Sequence, residues 1–185
     1  MNFFAFFVTM ISKSMIPFLL CAVLLFSCQK SADFFIREPS RIMLIDQADG
    51  ELAQIAEDAR DTLPGFFWHL ARARAGEKQF YIKYPFPADD ETGVSATGGV
   101  VTEQIWLTGI HFKNNRYYGQ LTSVPMHLSG MKPGDTVIFE ADDITDWMFV
   151  RSGRIIGGLS VKYLLEKIPE DQRSDGEQNL LRMFD

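Results

Sequence analysis

Cys28 is the residue whose setting most narrowly defines a chemistry. Leu25-Phe26-Ser27 closes an apolar run before it, and Gln29-Lys30-Ser31 is polar at once. That is the pattern of a bacterial lipoprotein signal, in which the cysteine becomes the lipidated first residue of the mature chain. Leucine three places before it and serine one place before it are the usual choices, while Phe26 is bulky for its position. Cys21 is no rival, because Leu20 is too large for the signal peptidase pocket. The apolar stretch from Met15 to Ser27 fits a signal core and falls short of the roughly 20 residues that a membrane span needs. Lys13 is the only charge ahead of it, and Met10 makes a better start than Met1 because it leaves a short cationic head. An uncleaved anchor helix reaching back to Phe3 would bury Lys13 in the bilayer, which is costly.

The other reactive groups are spaced less tellingly. The three histidines are His69, His111 and His127. No pair has metal-ligand spacing on a helix, so no metal site is expected. A hydrolase would need His69 or His127 to meet an acid of the Asp142–Asp146 run as an acid–base pair. That run, with Glu140, lacks the alternating ligands and the glycine of a calcium loop. Asp146 stands before Trp147 and reads as a cap that orients the indole. Gly157-Gly158 falls between a strand and a helix, where it either cradles an anion or permits close packing. The chain has no nucleophile elbow, phosphate loop or dinucleotide fingerprint, and no catalytic, cofactor-binding or metal residue is assigned.

Trp106, Trp147, Tyr117, Tyr118 and Phe149 fall on strand-like segments. One alternate face must enter the core, and aromatics left on the other would make a binding face. The candidate binding surface is therefore His69, Trp106, Tyr118, Asp146 and Trp147.

Composition limits the partners. The net charge is −6, and removing residues 1–27 takes away only Lys13 among the charged residues. An acidic domain argues against nucleic acid and against broad contact with anionic lipid. The chain has two cysteines. With Cys21 removed and Cys28 lipidated, the folded domain has no disulfide, thiolate nucleophile or cysteine zinc site. A hydrophobic core must hold it together.

The elements follow from hydrophobic period. Leu52, Ile55, Ala56 and Ala59, then Leu63, Phe66, Phe67 and Leu70, recur at helical steps. Pro64 interrupts them, which predicts two helices over about 49–61 and 63–75. Phe80, Ile82 and Tyr84 alternate with Gln79, Tyr81 and Lys83 as in a half-buried strand over 79–84, ended by Pro85-Phe86-Pro87. Residues 88–100 read as a surface loop. Residues 104–112 and 116–123 predict a hairpin across Asn114-Asn115. Lys132-Pro133-Gly134-Asp135 is a turn before a strand over 136–140. Residues 147–151 and 154–158 pair across Ser152-Gly153, and 160–168 form a last helix. The chain after Pro169 is expected to fray.

Three segments together resemble the YegJ-like family, a bacterial domain of unknown function (DUF2314). They are Ala59-Arg60-Asp61-Thr62-Leu63-Pro64-Gly65-Phe66-Phe67, then Glu103-Gln104-Ile105-Trp106-Leu107 with Gly119, then Gly134-Asp135-Thr136-Val137 with Ile144-Thr145-Asp146-Trp147-Met148 and Gly153-Arg154-Ile155-Ile156-Gly157-Gly158. The likeness spans roughly residues 50–168. It implies a fold and no activity.

The expected architecture is α+β: N-terminal helices on an antiparallel meander or small barrel-like sheet, with a C-terminal helix. Residues 1–27 are the expected signal peptide, 28–48 a tether, 49–168 the domain and 169–185 a polar tail. The expected function is a non-catalytic envelope lipoprotein, held in the membrane by Cys28, that binds an envelope protein and needs no cofactor. Gln29, where an aspartate would retain it in the inner membrane, points to the outer membrane facing the periplasm. The alternatives are a lipoprotein giving immunity to a toxin, or a periplasmic hydrolase using His and Asp residues.

Overall fold

The computed structural model describes residues 49–87 and 102–184. The expected signal, Cys28, the tether and the 88–100 loop lie outside the described residues.

Helix α1 runs Gly50–Ala71, 22 residues. Asp49 caps it by accepting the Glu51 N–H at 2.9 Å. The expectation of two helices is corrected, because α1 passes straight through Pro64. Proline has no N–H for the Arg60 carbonyl. Tertiary contacts offset the loss at the neighbouring turn: the Trp147 indole N–H donates to the Ala59 carbonyl at 3.0 Å and to the Thr62 hydroxyl at 3.1 Å. Leu63 and Phe66 on either side are buried, so packing holds a helix that propensity alone would break.

Strand β1 is Glu77–Pro87 and continues through both prolines that were expected to end it. The reason is register. The Lys83 carbonyl accepts the Thr145 N–H at 3.0 Å, so odd-numbered residues turn their backbone groups toward β5 (Asp146–Arg151). Pairing with β5 ends at Lys83, while pairing with β2 (Thr102–Lys113) runs on to Pro87. The N–H groups that Pro85 and Pro87 lack would have pointed where β5 has already ended, so no ladder bond is lost.

Strand β3 is Arg116–Leu121, joined to β2 across Asn114 and Asn115 with φ of 51° and 60°, the left-handed pair of a tight hairpin turn. Strands β4 (Thr136–Phe139) and β6 (Arg154–Gly157) complete a six-stranded sheet in the order β4-β3-β2-β1-β5-β6. Every pairing of these strands is antiparallel. Strands β1 to β4 form the expected meander, and β5 returns to the other flank of β1. The sheet is open, so the barrel-like alternative is excluded.

Both faces of the sheet bury residues, which the half-buried reading of β1 did not anticipate. The inner face carries Ile82, Ile105, Leu107, Leu121, Phe139 and Phe149 against Leu63 and Phe66 of α1. On the outer face Tyr81, Lys83, Met148, Val150 and Ile155 are also buried. Helix α2, Leu159–Lys167, buries Val161, Leu164 and Leu165 on that side. The tail does not fray. Helix α3, Asp175–Leu181, opens on a Ser174–Glu177 capping box, and buried Phe184 bridges to Ile155 of β6.

Candidate functional site

Two charged residues of the outer face, Lys83 and Asp146, meet under α2. Lys83 Nζ donates to Ser160 Oγ at 3.1 Å. The Ser160 hydroxyl donates to Asp146 Oδ2 at 2.6 Å, and its backbone N–H donates to the same oxygen at 2.8 Å. Asp146 Oδ1 accepts the Trp147 N–H at 2.8 Å. Exposure is 9% for Lys83, 1% for Asp146 and 4% for Ser160. Burial pushes the Asp146 carboxyl above the usual carboxylate range, opposed by Ser160 and by the Lys83 charge. Burial pulls Lys83 below the ordinary lysine value, opposed by Asp146.

A serine beside a lysine has the composition of an activated nucleophile. Here the serine proton is committed to Asp146, and all three groups are sealed in. The arrangement acts as a cap: Asp146 supplies the anion that the N-terminus of α2 favours, and Lys83 balances it. Gly157-Gly158 serves the same junction. A Cβ on Gly157 would stand 2.2 Å from the Trp147 carbonyl oxygen, and the Gly158 N–H donates to that oxygen at 2.8 Å. The anion of the suspected cradle is the chain's own Asp146.

A second cluster lies at the end of α1. His69 Nδ1 is 3.1 Å from Glu77 Oε1, and Arg151 Nε donates to that oxygen at 3.0 Å. The Arg74 backbone N–H donates to Glu77 Oε2 at 3.0 Å, the largest cause holding the Glu77 carboxyl below its usual range. Arg151 Nη2 reaches His69 Nε2 at 3.2 Å. His69 thus meets Glu77 rather than an acid of the 142–146 run, and a guanidinium occupies the nitrogen that a general base would use.

The five residues of the expected binding surface divide. Trp106 and Tyr118 lie on the outer face, both partly exposed. Tyr118 stacks on His111 with centroids 5.2 Å apart, and it pairs with Ile138 across β3 and β4. Ile138 is 47% exposed. The row His111–Tyr118–Ile138 therefore crosses three strands, and no described helix covers it. Lys83 Nζ sits 5.7 Å from the Trp106 ring. His69 and Trp147 belong to the α1 side, where Trp147 packs on Phe66 at 5.5 Å. Asp146 is buried and lies on no surface. Sequence reasoning missed Lys83, Ser160, Glu77 and Arg151. Lys83 gave the one usable signal, a lone cation within the apolar and aromatic run Phe80–Pro87 of β1. Among the described residues no group of three or more His, Cys, Asp or Glu is placed to hold a metal ion.

A family model described as uncharacterized protein conserved in bacteria (DUF2314) matches residues 49–180. The chain is 31% identical over 140 residues to a putative ankyrin repeat protein of Neisseria meningitidis serogroup B, covering 74% of this chain and 53% of that one. It is 28% identical over 81 residues to the uncharacterized protein YegJ of Escherichia coli K12, covering 44% of this chain and 53% of that one. The matches thus span about half the length of each relative. No solved structure matches.

Proposed function

This chain belongs to the DUF2314 family of uncharacterized proteins conserved in bacteria, and from that premise we propose that it is an envelope lipoprotein whose domain binds another protein without catalysis. Cys28 is its lipid anchor in the outer membrane, and the domain faces the periplasm. The observation that carries the binding reading is the outer face of β2, β3 and β4, which no described helix covers, with the row His111–Tyr118–Ile138 and the partly exposed Trp106. Aromatic side chains of this kind present large amphipathic contact area at low conformational cost and dominate interface hot spots. The two polar clusters support the same reading, since each is consumed in holding the fold. Anchoring confines the domain near membrane partners and raises its effective concentration there.

Two measurements test this. Cys28→Ala is expected to abolish incorporation of a labelled fatty acid and to leave an unprocessed precursor; normal processing of the variant would sink the anchor. For the binding face, crosslinking in intact envelopes is expected to yield a defined adduct that Tyr118→Ala with Ile138→Ser removes. An adduct that survives this pair of substitutions would place the interface elsewhere.

A further inference from the structure

One end of the sheet gathers cations in an otherwise acidic chain. Arg72, Arg74 and Lys78 flank the connection from α1 to β1, and all three are exposed. Lys113 and Arg116 pair at the β2–β3 hairpin. Arg151 and Arg154 pair at the β5–β6 hairpin, whose Ser152 N–H donates to the Gly76 carbonyl at 3.0 Å. Ring contacts join these pieces: Phe67 of α1 stacks on Tyr117 at 4.8 Å, and Phe112 lies against the same ring at 4.8 Å. Among the described residues Glu77 is the acid inside this cluster, and His69 and Arg151 engage it. Glu140 is an exposed acid beside it, next in sequence to Phe139, which pairs with Tyr117.

Two large apolar side chains stand exposed among these cations. Phe112 is 59% exposed and Trp68 is 40% exposed. The Arg74 and Arg72 guanidiniums lie 4.9 Å and 5.7 Å from the Trp68 ring. Aromatic rings settle at the headgroup level of a bilayer, and neighbouring Lys and Arg are drawn to anionic lipid.

We infer that this end of the sheet is a contact surface for the headgroups of an anionic phospholipid bilayer. Phe112 and Trp68 enter the interface, and Lys113, Arg116, Arg72 and Arg74 meet phosphates. The contact is local, so the acidic balance of the whole chain sets the other surfaces away from the membrane. It rests on the proposed Cys28 anchor only for bringing the domain to a membrane. Reach is sufficient: α1 has 22 residues, which separates its start from this end by about 33 Å, while residues 29–48 can extend up to about 65 Å.

The test uses the full chain carrying Cys28→Ala, so that no lipid is attached and failure of the anchor leaves it untouched. Sedimentation with phosphatidylcholine vesicles is compared with vesicles containing phosphatidylglycerol. The apolar leader contributes to both, so the excess on anionic vesicles reports the charged surface. Lys113→Gln with Arg116→Gln, two exposed hairpin residues, is expected to cut that excess roughly thirtyfold at low salt. Phe112→Ser is expected to weaken binding to anionic vesicles and leave the salt dependence intact. Far-UV circular dichroism confirms that both variants fold. Equal binding of parent and double variant to anionic vesicles overturns the proposal, as does charge-dependent retention of the parent on a duplex oligonucleotide without preference for anionic vesicles.

Discussion

The Asp146 carboxylate and the Ser160 hydroxyl meet at 2.6 Å, and this contact ties α2 to the sheet. Lys83 completes the link from β1. Removing one member of a buried charge pair strands the other. Asp146→Ala is therefore expected to cost about 3–5 kcal/mol. Ser160→Ala leaves the backbone N–H bond to Asp146 and should cost about 1–3 kcal/mol. Asp146→Leu combined with Lys83→Met removes both charges and should recover most of the loss, as apolar replacement of a buried pair commonly does. Urea unfolding of the three variants decides it. If the double variant is less stable than Asp146→Ala alone, the pair is not the coupled unit described.

Gly157 and Gly153 both have positive φ, at 77° and 83°, yet their surroundings differ. A Cβ on Gly157 would fall 2.2 Å from the Trp147 carbonyl oxygen, whereas a Cβ on Gly153 meets nothing within 4 Å. Gly153→Ala should cost only the left-handed strain, about 1–2 kcal/mol. Gly157→Ala adds a backbone clash and should cost clearly more. Thermal unfolding compares them directly, and equal losses would show that the β6–α2 junction shifts easily.

Tyr163 of α2 donates its hydroxyl to Asp49, the cap of α1, at 2.7 Å. That bond holds the phenol proton and pushes the tyrosine up to about 12 from its ordinary 10.0. It is also the largest cause lowering Asp49 below its ordinary 3.8. The folded state therefore keeps the tyrosine proton more tightly than the unfolded chain, so this stabilisation is complete below pH 10 and fades as pH rises toward about 12. Asp49 works in the opposite sense: its stabilisation holds above pH 3.8 and fades as pH falls below it. Tyr163→Phe should lower stability at neutral pH and flatten both dependences. Urea midpoints across the pH range measure this, and an alkaline decline equally steep in the variant would contradict it.

The parts of this fold written in local pattern were legible. The β2–β3 and β5–β6 hairpins followed from alternation with Asn114-Asn115 and Ser152-Gly153, and α2 from its apolar spacing. Lys83 shows where local pattern stops. Alternation placed it opposite Ile82, and its charge assigned that face to solvent. Its partner Ser160 is 77 residues away, so only tertiary structure reveals that α2 closes over it. Glu77 and Arg151 are likewise 74 residues apart. The tail misled for the same reason: Leu180 and Phe184 are visible as apolar residues after a polar stretch, but only tertiary structure shows that they are buried.

Pro64 gives the sharpest test of how context overrides propensity. Proline in a helix interior costs about 3 kcal/mol relative to alanine, yet α1 continues through it. Pro64 is exposed, so Pro64→Ala removes little packing and restores a donor for the Arg60 carbonyl. Loss of proline also frees the unfolded chain, which offsets about 0.4–1 kcal/mol. A net gain of about 2–2.6 kcal/mol is expected. The Trp147 indole bond to Ala59 should matter less once the neighbouring turn is repaired. Trp147→Phe should therefore cost more with Pro64 in place than with alanine there, and a double-mutant cycle measures that coupling. A loss of stability in Pro64→Ala would mean that the proline ring, rather than the missing backbone bond, governs how α1 lies on β5.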